Sequence, residues 1–373
     1  MHGKILGTVP RFPISRPFFA PKEVTAMRQL LQTTRAYALL KAERAENRLS
    51  HAYLLVFDDA RNLRDALKEF AKLFFLPSSV QEEGRAESAR NGQAIKPADR
   101  IGALIDEESF ADCVFLPAPG QKFSVEDAER IREESALKPV ESDTKLFVIS
   151  DFAESTVQAQ NKLLKLLEEP PAGVRLLLGA TVTFPVLPTI LSRTEKLEIP
   201  PFSTKEVADC LKRLYPGTAD TALCAAASGG SVGTAQNILE GGYYRELLST
   251  AFELAETDPF RLPALVRRAG ETKYKRELIT LLRLIFRDAL ILKTSRINGV
   301  DKSSRNGKNR AEKYLTLRSE TERLQKISEF YLLRALICAQ DALTEAEKQI
   351  RFNAVFPQCL ELCMAKIFAL NNR

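Results

Sequence analysis

The sequence is poor in metal-ligating side chains. Its two histidines are His2 and His51, and none of its six cysteines stands in a C-x-x-C pair. A structural zinc site needs four such ligands at short spacings, and a disulfide framework needs a small chain dense in cysteine. The sequence therefore predicts neither. Cys359 and Cys363 lie four residues apart in a predicted helix, and we expect both thiols to be small core residues.

Long apolar runs are also missing. No stretch reaches the roughly 18 apolar residues that a bilayer-spanning helix needs, and the segment Met1-His-Gly-Lys-Ile5 lacks the apolar core of a signal peptide. We therefore expect a soluble protein of the cytoplasm. The 373 residues, 45% of them apolar, suffice for two or three domains. A net charge of +6 permits contact with nucleic acid without indicating a dedicated DNA-binding domain.

The first 200 residues alternate short apolar runs with amphipathic segments. Buried strands are predicted at 52–57, 114–116, 145–149 and 175–178. Helices are predicted at 21–45, at 62–75 and after Ser124, where Asp127 completes a capping box. The polar segment 81–96 is predicted to be an exposed loop. Strands that alternate with helices at this spacing are typical of a parallel sheet covered on both faces.

After residue 201 the pattern is helical throughout. Pro200-Pro201 follows the last strand, and the glycine-rich segment 229–233 separates two short helices. Longer helices are predicted further on, at 276–293 and 322–349. The resulting domains are an N-terminal extension and an α/β domain, then a small helical lid and an all-helical domain, at 1–22, 23–201, 202–242 and 243–373.

One segment carries most of the functional information. Asn161-Lys-Leu-Leu-Lys-Leu-Leu-Glu-Glu-Pro-Pro171 places four leucines on one helix face, and its two prolines end the helix. A strand and then Ser192-Arg-Thr194 follow. Together these strings resemble the clamp-loader branch of the AAA+ ATPase family. The resemblance implies an AAA+-like α/β parallel-sheet domain, then a small helical lid and an all-α collar domain through which subunits assemble.

The phosphate-binding loop of that family is degenerate here. AAA+ ATPases carry G-x-x-x-x-G-K-[ST] after the first strand, where backbone N–H groups and the lysine hold phosphates and the hydroxyl holds Mg²⁺. Aligned without a gap, these positions are occupied here by Phe57, Ala60, Asn62, Leu63 and Arg64. The adjacent Asp58 and Asp59 would also repel a triphosphate. The resemblance therefore implies that this chain itself holds neither nucleotide nor metal.

Other nucleotide-handling positions have changed as well. Asp151 remains after a strand, but Phe152 replaces the expected glutamate, and a lone aspartate there is typical of a helix N-cap. The segment Ser231-Val-Gly233 stands where similar motor subunits carry a nucleotide-sensing arginine. Thr181 aligns with a phosphate-sensing residue, although a threonine at a strand end is more often structural. The zinc module of many relatives would begin at Leu76, and no cysteine follows it in the predicted loop.

Arg193 is the position that the family pattern retains. It matches the Ser-Arg-Cys motif whose arginine, in clamp loaders, reaches the ATP of the neighbouring subunit, with Ser192 as its motif neighbour and Thr194 in place of cysteine. A planar guanidinium can pair with a γ-phosphate, and such arginine fingers contribute about 10³- to 10⁵-fold in rate in GTPases. The alternative is an exposed arginine at the C-terminus of a short helix at 187–191.

The resemblance implies a non-ATPase subunit of a replicative clamp loader, without catalysis of its own, within a DNA polymerase holoenzyme. Its implied partners in the hetero-oligomer are the gamma/tau motor subunits and a delta subunit, with the sliding clamp and primed-template DNA engaged through the complex, and no membrane. ATP and Mg²⁺ would belong to the neighbouring motor subunit, to which Arg193 is supplied in trans.

Two other functions stay open. The chain is a diverged gamma/tau-type ATPase if an unusual loop binds nucleotide, although Leu63 argues against that. It is a DNA-binding module if the basic segment 293–313 contacts DNA, which predicts steeply salt-dependent binding. A solvated flexible loop is the structural interpretation of the same segment.

Overall fold

The computed structural model describes residues 21–75, 97–218, 221–297, 314–351 and 354–371. Five strands form one parallel sheet: β1 (Ala52–Phe57), β2 (Cys113–Leu116), β3 (Lys145–Ile149), β4 (Val174–Ala180) and β5 (Glu195–Ile199). Their order across the sheet is β2-β3-β4-β1-β5. In the register of the central strands, Tyr53 lies opposite Leu177 on one side and Glu195 on the other.

Alternate strand residues point into two different cores, which confirms the predicted sheet with both faces covered. Tyr53 and Leu55 face one core and Leu54 faces the other. The first face is covered by α1 (Pro21–Gln32), α2 (Arg35–Ala45), α3 (Leu63–Phe74) and α4 (Pro97–Asp106). The second is covered by α5 (Val125–Ser135), α6 (Val157–Glu168) and α7 (Pro188–Leu191).

Helices alone follow β5 in the part of the chain that the structure describes. Three short ones come first: α8 (Thr204–Leu214), α9 (Thr221–Ala227) and α10 (Val232–Gly241). Six more follow: α11 (Tyr244–Glu256), α12 (Leu262–Gly270), α13 (Lys275–Ile297), α14 (Thr321–Phe330), α15 (Leu333–Arg351) and α16 (Phe356–Asn371). This confirms the predicted fold class, an AAA+-like α/β domain followed by a helical lid and an all-α collar. The residue bounds of the domains stay a prediction.

Packing is continuous from the sheet into these helices. The core on the first face of the sheet extends through Val207 of α8 and Leu282 of α13 to Leu360 of α16, and all three side chains are fully buried. Cys359 and Cys363 are buried in α16, as expected for core thiols. None of the described helices combines the length and apolar character that a membrane crossing requires.

The predicted capping box is present at the start of α5. The Asp127 N–H donates to Ser124 Oγ over 3.1 Å, and the Ser124 N–H donates to Asp127 Oδ2 over 3.0 Å. The reciprocal pair satisfies two N–H groups that the helix itself leaves free.

Two predicted helices are each divided in the structure. The single helix predicted at 21–45 is wrong, because Thr34 adopts an extended backbone (φ −74°, ψ 149°) and its side chain caps α2. The single helix predicted at 322–349 is also wrong. Tyr331 is extended (φ −88°, ψ 138°) and fully buried, and its hydroxyl donates to the Ala255 carbonyl over 3.1 Å. Helix α4 and strand β5 were not predicted.

Candidate functional site

The predicted site residues lie at opposite edges of the sheet. In a parallel sheet the segments that follow β1, β3 and β4 all leave from the carboxyl edge, where α/β sheets bind ligands. That edge therefore holds the loop 58–62, Asp151 and the half-buried Thr181. Arg193 stands two residues before β5 and so lies at the amino edge. The length of β5, roughly 15 Å, separates the two places.

The loop that replaces the phosphate-binding loop is filled by its own side chains. The Asp59 side chain is buried, and its Oδ2 accepts from the Gly233 N–H over 2.7 Å and from Asn62 Nδ2 over 3.0 Å. Its Oδ1 accepts from the Asn62 N–H over 3.1 Å. Burial raises the pKa of the Asp59 carboxyl, and these hydrogen bonds offset part of the rise. Ala60 is exposed in the turn.

The same loop binds the lid helix α10 at two further points. Arg61 pairs with both carboxylate oxygens of Glu240, over 2.7 and 2.9 Å, and donates to Asn237 over 2.8 Å. Asn62 Nδ2 also donates to Gln236 Oε1 over 3.1 Å. The position that would carry a glycine in an ATPase thus carries an amide that ties the loop to the lid.

Asp58 connects the loop to the C-terminal helices. Its carboxylate pairs with Arg276 of α13 over 2.9 Å. Beside this pair, Phe57 and Asp58 line a cavity of about 60 Å³, well below the roughly 300–1,000 Å³ of ordinary small-molecule pockets. Phe57 itself is buried against Phe202, with ring centroids 6.1 Å apart.

The two positions that carry the lysine and the hydroxyl in a phosphate-binding loop are occupied here by residues with structural contacts. Leu63 is 1% exposed and points into the core. The Arg64 guanidinium pairs with Glu108 over 2.7 and 2.6 Å and donates to Ser150 Oγ over 3.0 Å. A permanent cation therefore lies beside the end of β3, where an ATPase would place its metal-binding carboxylate.

The interpretation of Asp151 as a helix N-cap is wrong. The residue precedes a short 3-10 turn at Phe152–Glu154, but its side chain makes no capping hydrogen bond. The reason is its left-handed backbone (φ 51°, ψ 38°), whereas a capping residue is normally extended. Burial raises the pKa of its carboxyl, and nearby Arg64 opposes that rise. Phe152 is fully buried, with its ring 5.9 Å from that of Phe123.

The lid segment that lacks the sensing arginine has a structural role. Ser231 caps α10 by accepting from the Thr234 N–H over 3.1 Å. Gly233 must lack a side chain, because an added Cβ would lie 2.7 Å from the Arg61 Cβ and still closer to Asp59 Oδ1. This close approach was not foreseen, since the two partners are 174 residues apart.

Arg193, at the amino edge of the sheet, makes one ion pair and two hydrogen bonds within this chain. Its Nη2 pairs with Glu168 over 2.8 Å, and its Nη1 donates to the Thr189 carbonyl over 2.9 Å and to Ser192 Oγ over 3.3 Å. Its side chain remains 35% exposed. The helix-terminus alternative thus describes its contact within this chain. Glu168, at the end of the leucine-rich helix α6, joins the two motifs and was not singled out from the sequence.

The predicted basic loop falls largely outside the described residues, as do the predicted polar loop 81–96 and Leu76. The two cations that are described belong to α13. Lys293 donates to the Ser328 carbonyl and Arg296 pairs with Glu329, both over 2.8 Å.

Comparison with known proteins supports the resemblance. Residues 32–203 match the family described as DNA polymerase III, delta subunit. The chain is 30% identical over 177 residues to the DNA polymerase III subunit delta' of Bacillus subtilis, covering 48% of this chain and 50% of that protein. It is 36% identical over 70 residues to the gamma/tau subunit of Mycobacterium tuberculosis, covering 19% of this chain and 12% of that protein. The chain thus spans about half the length of the first relative and less of the second.

Solved structures match it more distantly. A gamma-subunit-related protein of Thermotoga maritima superposes with a TM-score of 0.35 at 15% identity, over 94% of this chain and 100% of that one. This likeness adds nothing to what the sheet itself shows.

The parallel sheet, the helical lid and the C-terminal helices give this chain an AAA+-like fold. Residues 32–203 are similar to the DNA polymerase III delta-subunit family, and about half of the chain is similar to the delta' subunit of Bacillus subtilis.

Proposed function

We propose that this chain is the delta'-type, non-ATPase subunit of a DNA polymerase III clamp loader. It helps to load the sliding clamp onto primed DNA and supplies Arg193 in trans to the ATP of a neighbouring motor subunit. One observation carries this proposal: Arg193 lies at the amino edge of the sheet, away from the chain's own degenerate loop at the carboxyl edge. This separation supports a role for the arginine at another subunit's nucleotide and not at one held by this chain.

The absence of intrinsic catalysis is part of the proposal. Leu63 is buried where a phosphate-binding lysine would stand, and the carboxylate of Asp59 occupies the interior of the loop. A triphosphate would bring further negative charge to that carboxylate, with no lysine to offset it. ATP and Mg²⁺ accordingly belong to the motor subunit. The proposed partners are the gamma/tau and delta subunits, and through them the clamp and primed-template DNA.

The contacts of Arg193 within this chain are weak enough for its guanidinium to move from Glu168 to a γ-phosphate of the neighbouring subunit. Its partner Glu168 is 49% exposed, and ion pairs between such exposed groups are worth about 0–1 kcal/mol. The guanidinium can leave this partner at little cost when a γ-phosphate comes within reach. In the transition state it would then stabilise the charge that develops on the equatorial oxygens.

The test is hydrolysis by a reconstituted loader. Single-turnover ATP hydrolysis is compared between assemblies that contain this chain or its Arg193→Ala variant, with Lys196→Ala as the matched exposed control. At the site facing this chain we expect a fall of about 10³-fold or more for Arg193→Ala and none for the control. Unchanged hydrolysis in an intact assembly would leave Arg193 a helix-terminus residue.

The two alternatives have less support. A gamma/tau-type ATPase would need its loop to exchange the contacts of Asp59 and Arg61 for phosphate contacts. For a DNA-binding function through 293–313, two of the basic side chains are already engaged within the collar, since Lys293 donates to a backbone carbonyl and Arg296 pairs with Glu329.

A further inference from the structure

The segment 58–62 contacts two other parts of the molecule from a single turn of chain. Asp59, Arg61 and Asn62 bind the lid helix α10, and Asp58 binds α13 of the collar. We propose that this segment is a built-in latch. In it the Asp59 carboxylate takes the place of a bound phosphate at the N-terminus of α10 and holds the lid against the sheet domain without any nucleotide.

The chemistry of the Asp59 contact supports an anion's role. The first N–H groups of a helix have no partner inside the helix, and the helix dipole favours negative charge beside them. Gly233 is the second residue of α10, and its N–H donates to Asp59 Oδ2 over 2.7 Å. Phosphates bind helix N-termini through the same two features. The carboxylate is 2% exposed, so the contact is sheltered from competing water.

Arg61 gives the latch a second point of attachment. Its partner Glu240 lies seven residues after Gly233 in α10, about 10 Å further along the helix axis. A contact at one point would let the helix pivot, whereas contacts near both ends fix its direction. Glu240 also accepts from the Tyr215 hydroxyl at the end of α8, which draws a second lid helix into the same network.

The collar end of the latch is the pair between Asp58 and Arg276, two residues that are 218 positions apart. Nearby, the Phe202 N–H donates to the Gly230 carbonyl over 3.0 Å, so the chain entering the lid is bound to the loop that precedes α10. The segment 58–62 therefore joins the sheet domain to both the lid and the collar.

This latch does not depend on the role of Arg193. The two lie at opposite sheet edges, and Arg193→Ala should leave the latch intact. A failure of the arginine proposal and a failure of the latch would therefore be distinguished by separate variants.

The Gly233 amide is a direct reporter of the latch. In the full chain labelled with ¹⁵N-glycine, its hydrogen exchange is compared between the unmodified protein and Asp59→Ala. We expect exchange to accelerate about 10- to 100-fold, as for the loss of a hydrogen bond to a charged acceptor. The Gly179 amide in β4 is the control, and its unchanged exchange shows that the sheet domain remains folded. Equal Gly233 exchange in both proteins would overturn the proposal.

Nucleotide supplies the second arm of the test. Addition of Mg²⁺-ATP should leave the Gly233 resonance and its exchange unchanged in the unmodified protein. A shift on addition would mean that phosphate displaces Asp59 and that the loop is a nucleotide site, which would also overturn the latch.

A milder variant covers the case in which Asp59→Ala fails to fold. Spin labels are placed at exposed positions of the lid and of α5, at Lys205 and Glu126, with the partly exposed Cys338 replaced by serine. The distance distribution between the labels should be narrow in this background and broader after Arg61→Ala. An equally narrow distribution after Arg61→Ala would show that Arg61 does not hold the lid.

Discussion

The two edges of the sheet differ in how firmly their predicted site residues are held by the rest of the chain. At the carboxyl edge, Asp59 and Leu63 are buried and the loop is occupied by contacts between parts of the same chain. At the amino edge, Arg193 is one-third exposed and is bound to Glu168, to the Thr189 carbonyl and to Ser192 Oγ. The contrast teaches that the two predicted sites are spatially separate, so a variant at one edge of the sheet can be studied without disturbing the other.

The largest effect on stability is expected from Gly233→Ala. The added Cβ would overlap Asp59 Oδ1 and approach the Arg61 Cβ, so the loop and α10 must move apart. We expect the free energy of unfolding to fall by about 3 kcal/mol, as for overpacking of a tight contact. Urea denaturation measures it. Gly102→Ala in α4 is the control, because its nearest neighbour is a flexible lysine carbon 3.9 Å away. Equal effects in the two variants would contradict a tight approach at Gly233.

Removal of the buried carboxylate should come next. Asp59→Ala leaves the Gly233 N–H and the Asn62 amide without an acceptor in a buried place, which we expect to lower the free energy of unfolding by about 2 kcal/mol. Asp209→Ala on the exposed face of α8 is the matched control, with an expected change within about 0.5 kcal/mol. Thermal denaturation of both variants decides whether the carboxyl edge depends on this group.

The ion pair between Arg64 and Glu108 should make the free energy of unfolding depend on pH in the acid range. Burial alone would raise the pKa of Glu108, but hydrogen bonds from Arg64 and Lys68 outweigh it and hold that pKa below its usual value. A lowered carboxyl pKa stabilises the fold above the unfolded pKa of about 4.3, and this contribution is lost as the pH falls below that value.

Arg64→Ala should therefore cost about 1 kcal/mol at pH 7 and less at pH 3.5, below the unfolded pKa of about 4.3, where the unfolded chain takes up the proton and the contribution declines. Urea denaturation at the two pH values measures the difference. A cost that is the same at both would mean that Arg64 acts through packing and not through the charge of Glu108.

The smallest effect is expected at the amino edge. Glu168→Gln removes the charge that holds Arg193 in a partly exposed ion pair, so stability should change by no more than about 0.5 kcal/mol. Thermal denaturation checks this, with Glu129→Gln, which breaks another exposed pair on the same face, as the control. A large loss at Glu168 alone would mean that this edge is as rigidly built as the other.

Local patterns predicted much of the fold from the sequence. Apolar runs located four of the five strands, and the pair Ser124 and Asp127 located the start of α5. Strand β5 was missed because its residues alternate between exposed and buried positions over only five residues. The breaks at Thr34 and Tyr331 depend on a capping bond and on a buried hydroxyl contact, and helical periodicity does not report either of them.

The candidate site likewise contains features that the sequence predicts and features that it does not. Motif spacing singled out Arg193 and the degenerate loop, and the role of Arg193 stays a prediction. The partners of that loop were not predictable, because Arg61 meets Glu240 across 179 residues and Asp59 meets a backbone N–H that no side-chain pattern marks. Asp151 was misinterpreted because a left-handed backbone angle leaves no trace in the residue type.

The most direct test of the account is single-turnover ATP hydrolysis by the assembled loader with this chain or with Arg193→Ala, at matched assembly and with clamp and primed DNA present. We expect a fall of about 10³-fold or more at the adjoining site while the complex stays intact. Hydrolysis at the same rate in both assemblies would contradict it and leave the amino edge with a structural role alone.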